Sequence, residues 1–554
     1  MLKYKTENKD NQWKILLNNI TNDETLQLAV SKFHHQLTQD NQKFLNKQDV
    51  TDCAFNAPRI SSSLDKKYNI AHLIAYQLYP IDLTKKDQTA QRKWSYIQYQ
   101  RLLSTLSKAF SEQLEKEETL KSQFREVRKT HQRKYFCELK NKPMSCHITN
   151  PTPMPVQVSP IEELQPFFDH LSSNGEVTIP HMEFKRGVQY NDGRMDLCKQ
   201  VVGPPHIGKL MASLKNNTNI EHFLLGNNII GINGANAISE FLLNEHKPQI
   251  KTWYIAGNEI DEEGSKLIAR ALKNDTVCES LWLKRNPIKP LGAKYLGEML
   301  EVNKTIKILD LDNTGILDEG TKYLMESLKK NTTLKHLYLD ANGLTFTGAQ
   351  YIAQYFDHMV ATNQKGITSL WIGINRMDDE GAVVIANSLK NYKHLKRLCF
   401  NSNRLSEKGT KALCDALVDH ENLILFDLGI YKSTSDLGEL PNNMGDLGAE
   451  IIADFIKKNK SVKILSVLHN DISEHGIEVL ANALKENDSI DWLYYEQYGT
   501  GISQPIRQTI SNKLESNIKN HYNVSMGEYC SNILRYVKGS KKLKNIDSIY
   551  RNKM

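Results

Sequence analysis

Four large aromatic residues, Tyr254, Trp282, Tyr338 and Trp371, and three carboxylates, Asp310, Asp312 and Asp340, recur at near-constant steps through the middle of the chain. From Tyr254 to Trp282 to Asp310 to Tyr338 each step is 28 residues, and the next, to Trp371, is 33. Tyr494 stands at the same place in a later step, and Lys284 and Asp312 follow two residues behind Trp282 and Asp310. Residues of these types support recognition rather than bond-breaking. Tyr and Trp anchor protein interfaces, and grouped carboxylates suit a partner that offers Lys or Arg.

The element that must carry them is a repeated phrase. At Ile220, Phe223, Leu225, Asn228 and Ile230 it reads apolar, two free, apolar, one free, apolar, two free, Asn, one free, apolar. The same frame holds Ile250, Trp253, Ile255, Asn258 and Ile260, and then Cys278, Leu281, Leu283, Asn286 and Ile288. The Asn position runs through Asn228, Asn258, Asn286, Thr314, Asn342, Asn375, Asn403, Tyr431, Asn470 and Tyr498, at separations of 30, 28, 28, 28, 33, 28, 28, 39 and 28. A degenerate earlier copy at Met195, Leu197, Gln200 and Val202 makes about eleven.

The apolar-x-apolar alternation has period two and predicts a short strand with one face buried. The Asn falls where the chain turns, where a buried amide can bond backbone groups that otherwise lie unpaired. Six residues later stands Gly (Gly234, Gly264, Gly292, Gly320 and on), and an amphipathic helix follows, as in Ser265–Lys273. One coil cannot bury its own apolar side, so coils must stack. Strand residues alternating with the buried ones face away from the helices, and this puts Tyr254, Trp282, Lys284, Asp310, Asp312, Tyr338, Asp340, Trp371 and Tyr494 on one face as the candidate binding residues, expected to be open to a partner.

Long repeats of this kind, with a helix opened by Gly-Ala or Gly-Thr, resemble the ribonuclease-inhibitor-type leucine-rich repeats. Their group includes the repeat domains of NOD-like receptors and of the GTPase-activating protein of Ran. The resemblance covers about residues 190–515 and implies an α/β right-handed horseshoe, with parallel strands on the concave wall and helices on the convex one. It is specific for architecture and not for activity. The Ran-activating relatives use an arginine on the repeat domain, with which Arg285, Arg376 and Arg404 can be compared.

Around the repeats, composition sets limits. A chain of 554 residues has room for two or three domains. No apolar run reaches the roughly 18–20 residues of a membrane span, and Met1–Asp10 lacks the apolar core of a secretory signal. Eight cysteines include no C-x-x-C pair, and no His cluster has metal-ligand spacing. Reduced thiols, no metal, no cofactor and a cytoplasmic location are expected. The host cytosol is the corresponding place if the protein is a secreted bacterial effector.

Residues 1–142 carry no repeat and read as helical, with a stripe at Tyr99, Leu103, Leu106, Phe110 and Leu114. Residues 143–160 hold five prolines and predict an extended linker. Residues 161–190 resume with Ile161–Phe168 and a strand-like Glu176–Ile179 as a cap on the first coil, and the solenoid with its cap spans 161–515. The 39-residue interval places an insertion at Lys432–Met444. Gly203-Pro-Pro-His-Ile-Gly-Lys209 has phosphate-loop spacing, but Leu210 replaces the Ser or Thr that binds Mg²⁺, and two prolines remove N–H donors. Residues 516–554 form a basic cap or tail carrying net +6 of the chain's formal +7. The remainder is near neutral, so no basic face for nucleic acid is implied.

With no G-x-S-x-G, H-E-x-x-H or complete phosphate loop, the expectation is a non-catalytic protein-recognition scaffold. Two alternatives stand beside it: GTPase activation, and an effector whose helical N-terminal domain carries an activity directed by the repeats. Partner identity and oligomeric state stay open at this point.

Overall fold

The computed structural model describes residues 142–153, 156–244, 248–497, 501–539 and 541–552. The chain divides into two compact units, one of residues 1–141 with 497–507 and one of 142–496 with 508–554. The helices expected over residues 1–141, and Tyr498, lie outside the described residues.

The second unit is built on a 13-stranded sheet whose strands lie in chain order. β1 (His181–Glu183) and β2 (Val188–Tyr190) pair antiparallel, and β2 pairs antiparallel with β3 (Arg194–Asp196). From β3 onward every pairing is parallel. The strands are β4 (His222–Leu224), β5 (Thr252–Tyr254), β6 (Ser280–Trp282), β7 (Ile308–Asp310), β8 (His336–Tyr338), β9 (Ser369–Trp371), β10 (Arg397–Cys399), β11 (Leu425–Asp427), β12 (Ile464–Ser466) and β13 (Trp492–Tyr494). A helix follows each strand from β3 to β12, beginning with Gly203–Leu214 and ending with Glu474–Lys485. The Gly203–Lys209 segment is the start of the first of these helices.

Each strand is three residues long, so its middle side chain points one way and its two outer ones the other. The middle residues Phe223, Trp253, Leu281, Leu309 and Leu337 are buried. They face the helices: the Trp253 ring meets Phe241 of helix Gly231–Leu242 edge-on at 5.9 Å. The outer residues form the opposite, inner face. Helices pack closely because glycine heads them: a Cβ on Gly320 would lie 3.1 Å from Ala293 Cβ and 3.1 Å from the backbone of Pro290.

The Asn ladder bonds coil to coil. Asn258 Oδ1 accepts from Asn228 N at 2.9 Å, while its amide donates back to Leu225 O at 2.6 Å. Asn286 Oδ1 accepts from Asn258 N at 2.7 Å, and its amide donates to Ile255 O at 3.0 Å. Thr314 is shorter; its hydroxyl donates within its own coil to Leu311 O.

The structure corrects the ladder at one coil. Tyr431 does not fill the Asn slot; Asn442 does. Asn442 Oδ1 accepts from Asn403 N at 2.7 Å and Leu405 N at 3.0 Å, and its amide donates to Phe400 O and Leu428 O. The extra residues therefore lie between β11 and the ladder. Glu439 in that loop is buried and takes ion pairs from Arg376 at 2.6 Å and Arg404 at 2.9 Å.

The start of the unit also differs from expectation. Glu176–Ile179 is irregular, and the strands form at β1 and β2. The proline-rich segment lies against the solenoid: Ile148 is buried, Asn313 donates to His147 O at 2.8 Å, and Ser159 donates to Gln200 O at 2.7 Å. Arg376 adds a bond to Lys142 O at 2.8 Å.

Candidate functional site

Parallel pairing in register puts the last residue of each strand in one row across the inner face. Tyr254 pairs with Trp282, Trp282 with Asp310, Asp310 with Tyr338, and Tyr338 with Trp371. Tyr338 and Trp371 stack at 3.9 Å with 9° between planes. Trp282 and Tyr338 stand two strands apart, yet their rings meet at 5.4 Å because the side chain between them, Asp310, is short. Tyr254 reaches Trp282 at 6.4 Å, so the four rings are continuous. Tyr494 lies apart at the far end of the row and contacts Trp492 edge-on at 6.0 Å.

The carboxylates stand in this row, at Asp310, and two residues further on, at Asp312 and Asp340. Asp310 accepts from Asp312 N at 2.9 Å, Asp312 accepts from Asp340 N at 2.8 Å, and Asp340 accepts from Gly373 N at 2.6 Å. Lys284 donates to Asp312 at 3.0 Å. Burial and the Asp312 charge push Asp310 up to about 8, and the same causes hold Asp340 well above the usual carboxylate range. Burial lowers Lys284, but the charges of Asp312, Tyr431 and Asp310 and the hydrogen bond to Asp312 together outweigh it, and the ammonium is held well above its ordinary value. Lys284 also lies 5.9 Å from the Tyr431 ring, which the insertion brings over from beyond β11.

The expectation that the ladder stands open to solvent is corrected here. Tyr254, Trp282, Tyr338 and Trp371 are 4, 3, 9 and 8% exposed. Their cover is the chain's own basic end. After helix Gln504–Tyr522, Tyr529 packs between Tyr522 and Trp492 against the last strand. Residues from Leu534 then cross the inner face from the late strands back to the early ones. Leu534, Val537, Leu543, Ile546 and Tyr550 pack on the cluster that contains the four rings.

Polar contacts mark the route. Arg397 on β10 donates to Val537 O at 3.0 Å, and Lys538 lies 4.9 Å over the Tyr494 ring. Lys542 pairs with Glu279 just ahead of β6. Ser548 donates to Asp196 on β3 at 3.0 Å, Arg194 donates to Asp547 O at 2.7 Å, and Arg551 covers the Tyr254 ring at 4.2 Å. Gly187 N donates to the Tyr550 hydroxyl at 3.1 Å.

The first residue of each strand shares this inner face, and sequence reasoning passed over that row. It holds the apolar Ile308, Leu425 and Ile464, all buried in the covered cluster, together with Arg397 and His336. Burial, reinforced by Arg397 and Lys542, lowers His336 to about 4. The signal was available: the same two-residue alternation, counted one step further back. Of the three arginines compared with a catalytic one, Arg376 and Arg404 are bound to Glu439.

Among the described residues no group of three or more His, Cys, Asp or Glu could hold a metal ion, and no helix is long and apolar enough to cross a membrane. In comparisons with known proteins, a family profile described as "Leucine Rich repeat" matches residues 330–353, which span the sixth residue before β8 to the first half of the helix after it. The fold is a leucine-rich-repeat solenoid. No curated protein matches the sequence. Among solved structures the solenoid is similar to "Leiomodin-1 Actin-Binding Site 2 (ABS2)", at 17% identity and a TM-score of 0.22, over 41% of this chain and 90% of that one. At that score nothing of the leiomodin's binding transfers.

Proposed function

We propose that this leucine-rich-repeat protein is a recognition scaffold that holds a protein partner against the inner face of its sheet. One observation carries the reading. Four contiguous large rings, with Asp310 in their row, are fixed on a parallel sheet, and what covers them is a segment that forms no strand with that sheet. The solenoid has its own core on the helix side, so the rings are not needed to fill it. A surface of this composition has the character of an interface hot spot.

The test is capture of partners by the full chain and by a chain carrying Trp282→Ala and Trp371→Ala, with circular dichroism and melting checked on both. Loss of a captured protein from a variant that keeps its helical signal is expected. Unchanged capture sinks the inner-face reading.

A further inference from the structure

We infer that residues 534–552 are a built-in stand-in for the partner's segment, so that the inner face takes a short basic stretch with spaced aliphatic residues, supplied in cis until a partner supplies it in trans. This deepens the recognition reading above and rests on it. Three features of the contact support it.

The first is charge complementarity. The tail brings Lys538, Lys542 and Arg551 onto Tyr494, Glu279 and Tyr254, two aromatic rings and a carboxylate of the face. Cations over ring faces and against a carboxylate at the rim are the means by which an aromatic wall selects a basic peptide.

The second is separability. The tail adds no strand to the sheet, and Ile546 alone among its aliphatic residues is deeply buried; Leu534, Val537 and Leu543 are only partly so. Withdrawing the tail leaves the strand ladder, the Asn ladder and the helix-side core intact. It bares four adjacent rings, which water penalises, so the open state favours a replacement of like chemistry.

The third is an imperfect fit. Trp282 Nε1 and Asp196 Oδ2 on the face, and Arg551 Nε on the tail, are buried at or beside this contact without a hydrogen-bond partner. Buried polar groups are ordinarily paired, and leaving one unpaired costs free energy. A segment with a carbonyl that accepts from Trp282 Nε1 and an ammonium that donates to Asp196 Oδ2 gains over the tail.

The experiment uses the full chain and a fluorescein-labelled peptide of residues 534–552, read by anisotropy. The tethered tail holds the face at a high effective concentration, so the wild-type chain binds the peptide weakly. Ile546→Asp with Arg551→Glu in the chain is expected to tighten peptide binding by at least about tenfold. A peptide with every Lys and Arg changed to Glu is expected not to bind. A reciprocal pair guards against a fold defect: Lys542→Glu in the chain sets the tail against Glu279 and opens the face to the wild-type peptide, and adding Glu279→Lys lets the tail close it again and returns peptide affinity to the wild-type level or below. No gain in the loosened chain, equal binding of the acidic peptide, or no reversal by the second substitution overturns the inference. If a partner is still captured through Trp282 and Trp371 while the peptide fails, the recognition reading survives and only the stand-in falls.

Discussion

Asp310 shows how one short side chain serves two purposes. It leaves room for Trp282 and Tyr338 to meet across it, and its carboxylate is buried beside Asp312. Its pKa of about 8 lies above the ordinary 3.8, so the folded chain keeps a proton that the unfolded chain gives up. The associated stability is fully present below about 4 and is lost as pH rises to about 8. Asp310→Asn keeps an oxygen for Asp312 N–H and removes the titration. The variant's melting temperature should therefore gain on the wild type between pH 5 and pH 8.5, checked by thermal melts across that range; a flat or shrinking difference refutes the assignment. The sequence named Asp310 correctly as an inner-face residue. It could not show that the carboxylate is buried, because burial depends on what lies above it.

At the scale of the element, the Asn slot is the instructive case. Tyr431 stands 28 residues after Asn403, and Asn442 stands 28 before Asn470, so counting admits either. The hydrogen bonds decide for Asn442, since an amide can accept from two backbone N–H groups and donate to two carbonyls at once, whereas a phenol cannot. Asn442→Ala leaves these groups buried and unpaired and should cost about 2–4 kcal/mol in urea unfolding. A loss below 1 kcal/mol would place the ladder elsewhere.

A second ladder on the helix side went unread. Asn303 donates to Leu272 O at 2.7 Å, Asn331 to Leu300 O at 2.6 Å, and Asn487 to Ile456 O at 2.6 Å. Each stands three residues ahead of the repeat's first apolar position, at Ile306, Leu334 and Ile490. The pattern was legible, but it was masked by the stronger Leu and Asn phrase.

Across the whole molecule, partly or fully buried histidines set an acid limit. Burial lowers His222 and His420, and brings His336 and His469 to about 4. A folded pKa below the unfolded 6.5 gives stability that is present above 6.5 and lost as pH falls toward 4. The histidine contribution to unfolding temperature should fall through that window, opposite in sign to that of Asp310, so His336→Asn with His469→Asn should gain on the wild type in melts taken at pH 7, 5.5 and 4.5. An unchanged slope would mean these rings are hydrated.

The sequence by itself determined the repeat, the strand–turn–helix order within it and the identity of the inner-face row that holds Tyr254, Trp282, Tyr338 and Trp371. These follow from contacts between neighbouring coils, which a 28-residue period records faithfully. Only the tertiary structure decided what faces that row. Residues 534–552 have no period, and they meet strands as distant in sequence as β3 and β10. A contact made once, across many coils, leaves no repeating trace in the chain that makes it.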